Sequence, residues 1–255
     1  MEWVNSDPVL SAASADSAAR TVLYAEGNSP ALPAEKRFSQ TAAEVTRERS
    51  FEAAVRLHGQ FPAARIAVLN FASATHPGGG VVRGSRAQEE SLCRCSTLYP
   101  ALTTDRLKQE YYLFHQRRHD ARYTHAVIFT PDVRIIKTDT DIPARLPQSD
   151  WCTVDILTCA APNLSACTVP ADELTALHRA RAEKLLSVAA CHGADILVLG
   201  AFGCGAFGNP AELVASVYRG VTDRFSGYFR QITYAVYTSG LRSANFDAFA
   251  AAFDT

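Results

Sequence analysis

Two adjacent carboxylates, Glu89 and Glu90, follow an amide, Gln88, and all three come shortly after a glycine triplet, Gly78-Gly79-Gly80. Paired acids of this kind beside a bare glycine loop suggest acid/base chemistry on a ligand that lies against the backbone. A bare glycine backbone tolerates positive φ and lets a ligand lie close against it. The segment follows an apolar run, Ile66-Ala67-Val68-Leu69-Asn70-Phe71, that reads as a buried strand. Alone, two acids in the first turn of a helix are an ordinary complement to the helix dipole. With the amide and the triplet beside them, they read as chemistry.

A second glycine-rich stretch runs Gly200-Ala201-Phe202-Gly203-Cys204-Gly205-Ala206-Phe207-Gly208-Asn209-Pro210. It follows another apolar run, 194–199, and Pro210 suits the first turn of a following helix. Strand, glycine loop and helix start together make an anion site, because free backbone N–H groups and the helix dipole both favour phosphate. The spacing Gly203-x-Gly205-x-x-Gly208 resembles a dinucleotide fingerprint. However, no acid ends a second strand about 20 positions on, and the nearest candidate, Asp223, falls inside a predicted helix. Phe202 and Phe207 offer aromatic surface to a ribose or base. Cys204 reads as a packing residue, since no neighbouring histidine supplies a base. In open α/β sheets ligands bind beyond the carboxyl ends of strands, so both loops are expected to face one cleft.

Hydrophobic periodicity supplies the supporting elements. Strands are expected at 66–71, 125–129 (ended by Pro131), 152–160, 194–199 and 232–237. Helices are expected at 49–58, 88–98, 104–115, 172–191, 210–224 and 245–253. Such alternation implies a sheet sandwiched between helices, an α/β fold. Residues 1–20 show weak periodicity and read as a loose tail or a short leading helix. No composition shift marks a boundary, so 1–255 reads as one domain. Asp155, inside an apolar strand, is expected to cap or pair within the fold. Residues Tyr237-Thr238-Ser239-Gly240 end a strand and are expected to border the cleft.

The 255 residues carry a formal net charge of −1, which gives no bulk attraction to nucleic acid or membrane. Seven cysteines, an odd number with no C-x-x-C pair, argue against structural zinc and for reduced thiols in a cytoplasmic protein. His115, His119 and His125 straddle a helix end and read as core or surface residues, so no metal site is expected. There is no basic-then-apolar leader and no run as long as a membrane span.

The glycine triplet followed by Gln88-Glu89-Glu90, with the loop Gly203-Cys204-Gly205-Ala206-Phe207-Gly208, resembles the signature and diphosphate loop of poly(ADP-ribose) glycohydrolases. Residues Leu69-Asn70-Phe71-Ala72 resemble the compact bacterial type, and the likeness spans about 20–250. The resemblance implies a macrodomain-like three-layer α/β/α sandwich with a central mixed sheet. It implies hydrolysis of ribose–ribose O-glycosidic bonds, mainly from chain ends, with no cofactor and no metal. By the same resemblance Glu90 is the catalytic acid/base and Glu89 holds ribose hydroxyls. Asn70 contacts the terminal ribose, and Gly78, Gly79, Gly80 and Val81 pack against ribose and diphosphate. Gln88 is grouped with the substrate-binding residues. Gly203, Cys204, Gly205, Ala206, Phe207 and Gly208 cradle the diphosphate, with Phe207 orienting the terminal ribose.

His76-Pro77 before the triplet, and Arg83 and Arg86 in the spacer between triplet and acids, are expected to shape the pocket, and the chain reads as the short type without the accessory regions of animal enzymes. Two alternatives stay open on sequence: a mono-ADP-ribosyl hydrolase acting on protein- or DNA-linked ADP-ribose, and an ADP-ribose-binding module without turnover. The expected partner is ADP-ribose or its polymer attached to proteins or to nucleic acid. No membrane partner is expected, and the expected state is a monomer.

Overall fold

In chain order the elements are α1 (Pro8–Ala19), β1 (Val22–Tyr24), β2 (Ala42–Thr46), α2 (Ser50–Gln60), β3 (Ile66–Phe71), α3 (Gln88–Cys95) and α4 (Leu98–Leu102). Then come α5 (Asp105–Leu107), α6 (Phe114–Arg118), β4 (Val127–Ile135), β5 (Cys152–Cys159), α7 (Ala171–Cys191), β6 (Ile196–Leu199), α8 (Ala211–Arg224), β7 (Gln231–Ala235) and α9 (Ala244–Phe253). The structure, a computed structural model, describes residues 7–240 and 242–253. The strands form one seven-stranded sheet in the order β1-β4-β5-β3-β6-β7-β2. The pairs β5–β3, β3–β6, β6–β7 and β7–β2 are parallel, while β1–β4 and β4–β5 are antiparallel.

β3 is the central strand and is buried on both faces, as its unbroken apolar run requires. Its side chains alternate between two cores. Ala67 and Leu69 join the side covered by Leu185 of α7, Val214 of α8 and Phe249 of α9. Ile66 and Val68 join the side covered by Phe51 of α2, Leu92 of α3 and Leu98 of α4. The result is a three-layer sandwich around a mixed sheet. β3 and β6, which carry the two glycine loops, are neighbours and parallel, so both loops leave the same end of the sheet.

Several expectations need correction. Of the two readings of the leading segment, the short helix holds for Pro8–Ala19: Asp7 caps α1 by accepting from Val9 N and Leu10 N, and Pro8 opens it. Its inward face is Leu10, Ser14 and Ser17, two of them polar, which is why the periodicity is weak. Residues 1–6 of the expected tail lie outside the described residues. β1 and β2 have no counterpart in the predicted strands; both are short edge strands with little apolar alternation.

The strand at 127 does not stop at Pro131. It continues to Ile135 through a register shift between Thr130 and Val133, with Asp132 at φ 53. The Asp132 N–H donates to Asp155 Oδ1 at 3.1 Å, and Arg65 Nε donates to Asp155 Oδ2, so the buried acid pairs as expected and pins the bulge. The helix expected over 88–98 ends at Cys95, and Ser96 bridges to Ile135 instead. The helix expected over 104–115 is interrupted by a π-helical stretch at Lys108–Leu113.

Candidate active site

At the carboxyl end of β3 the chain turns through residues 72–84 and returns as α3. Gln88 staples this return. Its Oε1 accepts from Phe71 N at 2.9 Å, and its Nε2 donates to Leu69 O at 2.7 Å and Ser50 Oγ at 3.0 Å. The first turn of α3 is thereby fixed against the strand end, and both glutamates point inward, 3 % and 7 % exposed.

The two carboxyls diverge. Glu89 Oε2 accepts from Ser73 N at 2.7 Å, and its Oε1 accepts from Asn70 Nδ2 at 3.3 Å. Glu90 Oε1 accepts from Gly80 N at 2.8 Å, while its Oε2 is buried without a hydrogen-bond partner among the described residues. Burial pushes the Glu89 carboxyl up to about 8, against the hydrogen bonds from Ser73 and Asn70 and with the charge of Glu90. The triplet is shaped around these acids. Gly79 sits at φ 60, and a Cβ there would stand 2.3 Å from Glu90 Oε1.

The second loop is built as an open nest. Gly203 lies at φ 80, where a Cβ would meet Ala161 Cβ at 2.5 Å. The carbonyls of Ala206 and Phe207 are turned outward, accepting from Ser165 Oγ at 2.8 Å and Leu164 N at 2.9 Å. The N–H groups of Gly205, Ala206 and Phe207 make no hydrogen bond among the described residues. Unpartnered backbone N–H groups on a glycine loop suit an anionic diphosphate.

Both loops open onto one cleft of about 530 Å³, a size suited to a nucleotide-like ligand. Gly79, Gln88, Glu89 and Glu90 line it from the β3 side. Gly203, Gly205, Ala206 and Phe207 line it from the β6 side. The structure thus joins segments more than a hundred residues apart, as the strand order requires.

Other predicted site residues stand behind this surface. Asn70 is fully buried and donates to Glu89 and to Thr158 Oγ1, so it supports an acid rather than lining the cleft. Gly78, Gly80 and Val81 form the turn beneath the lining; Gly80 reaches the site through its N–H to Glu90. Cys204 and Gly208 are not among the residues that line the cleft. Burial pushes the Cys204 thiol up to about 12, which leaves it inert as a nucleophile. Phe202 also lines the cleft but is fully buried, edge-on to Phe71 at 5.8 Å, so it forms the cleft's inner end; Phe207 is the half-buried aromatic at the cleft edge.

Residues that spacing could not reveal complete the opposite wall. Arg49 pairs with Asp141 and lies 4.1 Å from the ring centroid of Tyr237, joining three distant segments at the cleft rim. Asp139 accepts from Phe51 N and Ser91 Oγ and so anchors the loop that carries Asp141. Tyr237 borders the cleft as expected, although its strand ends at Ala235. His115 is a core residue, its ring nitrogens bonded to Tyr111 O and Thr124 Oγ1.

Residues 4–138 match the family model described as the catalytic domain of microbial-type PARG, poly(ADP-ribose) glycohydrolase. The chain belongs to this family. The poly(ADP-ribose) glycohydrolase of Thermomonospora curvata is 37 % identical, with a TM-score of 0.86 over 95 % of this chain and 89 % of that one. The same enzyme bound to the inhibitor ADP-HPD is 36 % identical, with a TM-score of 0.82 over 94 % and 88 %. The Deinococcus radiodurans glycohydrolase in complex with ADP-ribose is 36 % identical, with a TM-score of 0.84 over 94 % and 96 %. No match is found among curated proteins. The three-layer fold of this glycohydrolase-family chain is accordingly macrodomain-like.

Proposed function

We propose that this chain hydrolyses the ribose–ribose O-glycosidic bonds of poly(ADP-ribose), releasing ADP-ribose from chain ends. The observation that carries the reading is Glu90. One of its oxygens is held by Gly80 N–H and the other is unpartnered, in a cleft shared with a loop of free N–H groups. A binding module has no need of such a group. In this reading the diphosphate of the terminal unit lies on the 205–207 N–H groups, and its ribose lies against Gly79 and Phe207.

Glu90 gives a proton to the departing ribose oxygen as positive charge develops on the anomeric carbon. The resulting carboxylate then takes a proton from the attacking water. Glu89, aimed elsewhere by Ser73 and Asn70, holds ribose hydroxyls beside the scissile bond. The two carboxyls have separate anchors, which supports two roles rather than a dyad sharing one proton. The relatives with bound ADP-ribose and ADP-HPD support the ligand class. The substrate in this reading is polymer attached to proteins, handled by a monomer in the cytoplasm.

The test is release of free ADP-ribose from purified, protein-attached polymer, run beside a panel of mono-ADP-ribosylated proteins and DNA. Release from polymer is expected. Turnover of a mono-linkage alone, or binding with no turnover, overturns the reading.

A further inference from the structure

The diphosphate loop is cinched at its two ends by one amide. Asn209 Nδ2 donates to Gly203 O at 2.9 Å and to Pro162 O at 2.8 Å, and Asn209 N also donates to Gly203 O at 3.0 Å. Two carbonyl acceptors fix which end of the amide is nitrogen, so Oδ1 must point the other way. It meets His178 Nε2 at 2.9 Å. An amide oxygen cannot donate, so His178 carries its proton on Nε2 and donates it. His178 is fully buried on α7, and Asn209 is 3 % exposed. The remaining ring nitrogen, Nδ1, is buried and without a partner among the described residues, which suits a neutral imidazole.

This clamp bears on the ligand through peptide geometry. In a trans peptide the N–H points opposite to the preceding carbonyl. Ser165 Oγ holds Ala206 O, so the Phe207 N–H of that same peptide points away from Ser165; Asn209, through Gly203 O, fixes the peptide at the start of the loop, whose Cys204 N–H donates to Ala201 O at 3.1 Å. Gly205 and Ala206 lie on the same arc between the fixed ends. If Gly203 were released, the arc could turn its peptides and satisfy those N–H groups locally, and the anion site would be lost.

We propose that His178 and Asn209 are positioning residues: a buried histidine–amide clamp that presets the loop for a diphosphate ligand without touching it. The proposal rests on the reading of the loop as the diphosphate site.

The test is calorimetric titration of ADP-ribose into wild type, His178→Phe, His178→Gln and Asn209→Asp, with kcat and KM measured on polymer. Phe keeps the ring volume and removes the donor. Gln restores a donor where Nε2 stood. Asp keeps the shape of Asn209 but sets oxygen against the two carbonyls. His178→Phe and Asn209→Asp are expected to weaken ADP-ribose binding at least ~10-fold, the scale of one lost hydrogen bond to an oriented group. KM should rise with kcat within about threefold, because the loss is of uniform binding. His178→Gln is expected to recover affinity to within about threefold of wild type. Circular dichroism selects the variants that fold, and either of the two disruptive ones suffices. A folded His178→Phe or Asn209→Asp that binds ADP-ribose like wild type overturns the clamp. Failure of wild type itself to bind ADP-ribose overturns the reading of the loop instead.

Discussion

Gly80 N–H donates to Glu90 Oε1 at 2.8 Å, so the last glycine of the triplet is bonded to the acid ten positions after it. That bond orients one oxygen and leaves the other for a substrate. The spacer between them is a loop whose length lets the chain double back, and the Gln88 staple sets where it returns.

Replacing Glu90 by Gln keeps the size and a hydrogen-bond acceptor but removes the transferable proton. ADP-ribose release from polymer is expected to fall at least ~10²-fold, while ADP-ribose affinity stays within about threefold of wild type. A variant that retains the wild-type rate would remove Glu90 from the chemistry.

Gly79→Ala tests the fit of the triplet to the acids. The added methyl would stand 2.3 Å from Glu90 Oε1 and 3.1 Å from Glu89 Oε2, at a φ of 60 that alanine adopts poorly. The expected outcome is a stability loss of about 1–3 kcal/mol in denaturant titrations. Release of ADP-ribose should fall at least ~10-fold as Glu90 is displaced.

Burial raises the Glu89 carboxyl to about 8, above the usual glutamate value of about 4.3 in the unfolded chain. The folded state therefore binds more protons between these values, and stability falls as pH rises through that window. Below about pH 4 the contribution is fully present; above about pH 8 it is lost. Glu89→Gln carries no titratable proton, so its stability should decline less between about pH 5 and about pH 9. Chemical denaturation of both proteins across this range checks the difference in slope, and parallel curves would contradict it.

Two glycines of the second loop should respond differently. At Gly203 a methyl would meet Ala161 Cβ at 2.5 Å, whereas at Gly205 it would meet no atom within 4 Å. Gly203→Ala is expected to lower stability by about 1–3 kcal/mol. Gly205→Ala should change stability by less than about 0.5 kcal/mol yet weaken ADP-ribose binding about tenfold, by standing where the diphosphate approaches. Melting curves and titrations on the pair separate fold from ligand contact.

Arg49→Ala removes both the pairing with Asp141 and the contact with the Tyr237 ring at the rim. KM for polymer is expected to rise roughly 3- to 30-fold with little change in kcat, in line with a partly exposed cation–π and ion-pair loss. Steady-state kinetics distinguish this from a catalytic defect.

The order of elements was legible in the sequence wherever burial writes a strong pattern. β3, β5, β6 and the long α7 are apolar enough, or periodic enough, to stand out, and both glycine loops sit where strands end. The edge strands β1 and β2 were not legible, because a short strand held by one neighbour needs little apolar alternation. α1 was ambiguous because serines make up most of its inward face, and one of them, Ser17, bonds to Asp132 O. Pro131 misled because a bulge accommodates it within a strand.

By itself, then, the sequence determined the chemical types: two acids, an amide, two glycine loops, and the α/β frame that brings them to one sheet end. Only the tertiary structure decided which groups face the ligand. Asn70 turns out to brace Glu89, Phe202 closes the inner end of the cleft against Phe71, and Arg49, Asp141 and Tyr237 meet across the rim. The physical reason is that sequence spacing fixes the face of an element. Contacts between elements depend on strand order and loop packing, which bring Gly203 to Asn209 and Asn209 to a histidine 31 residues earlier.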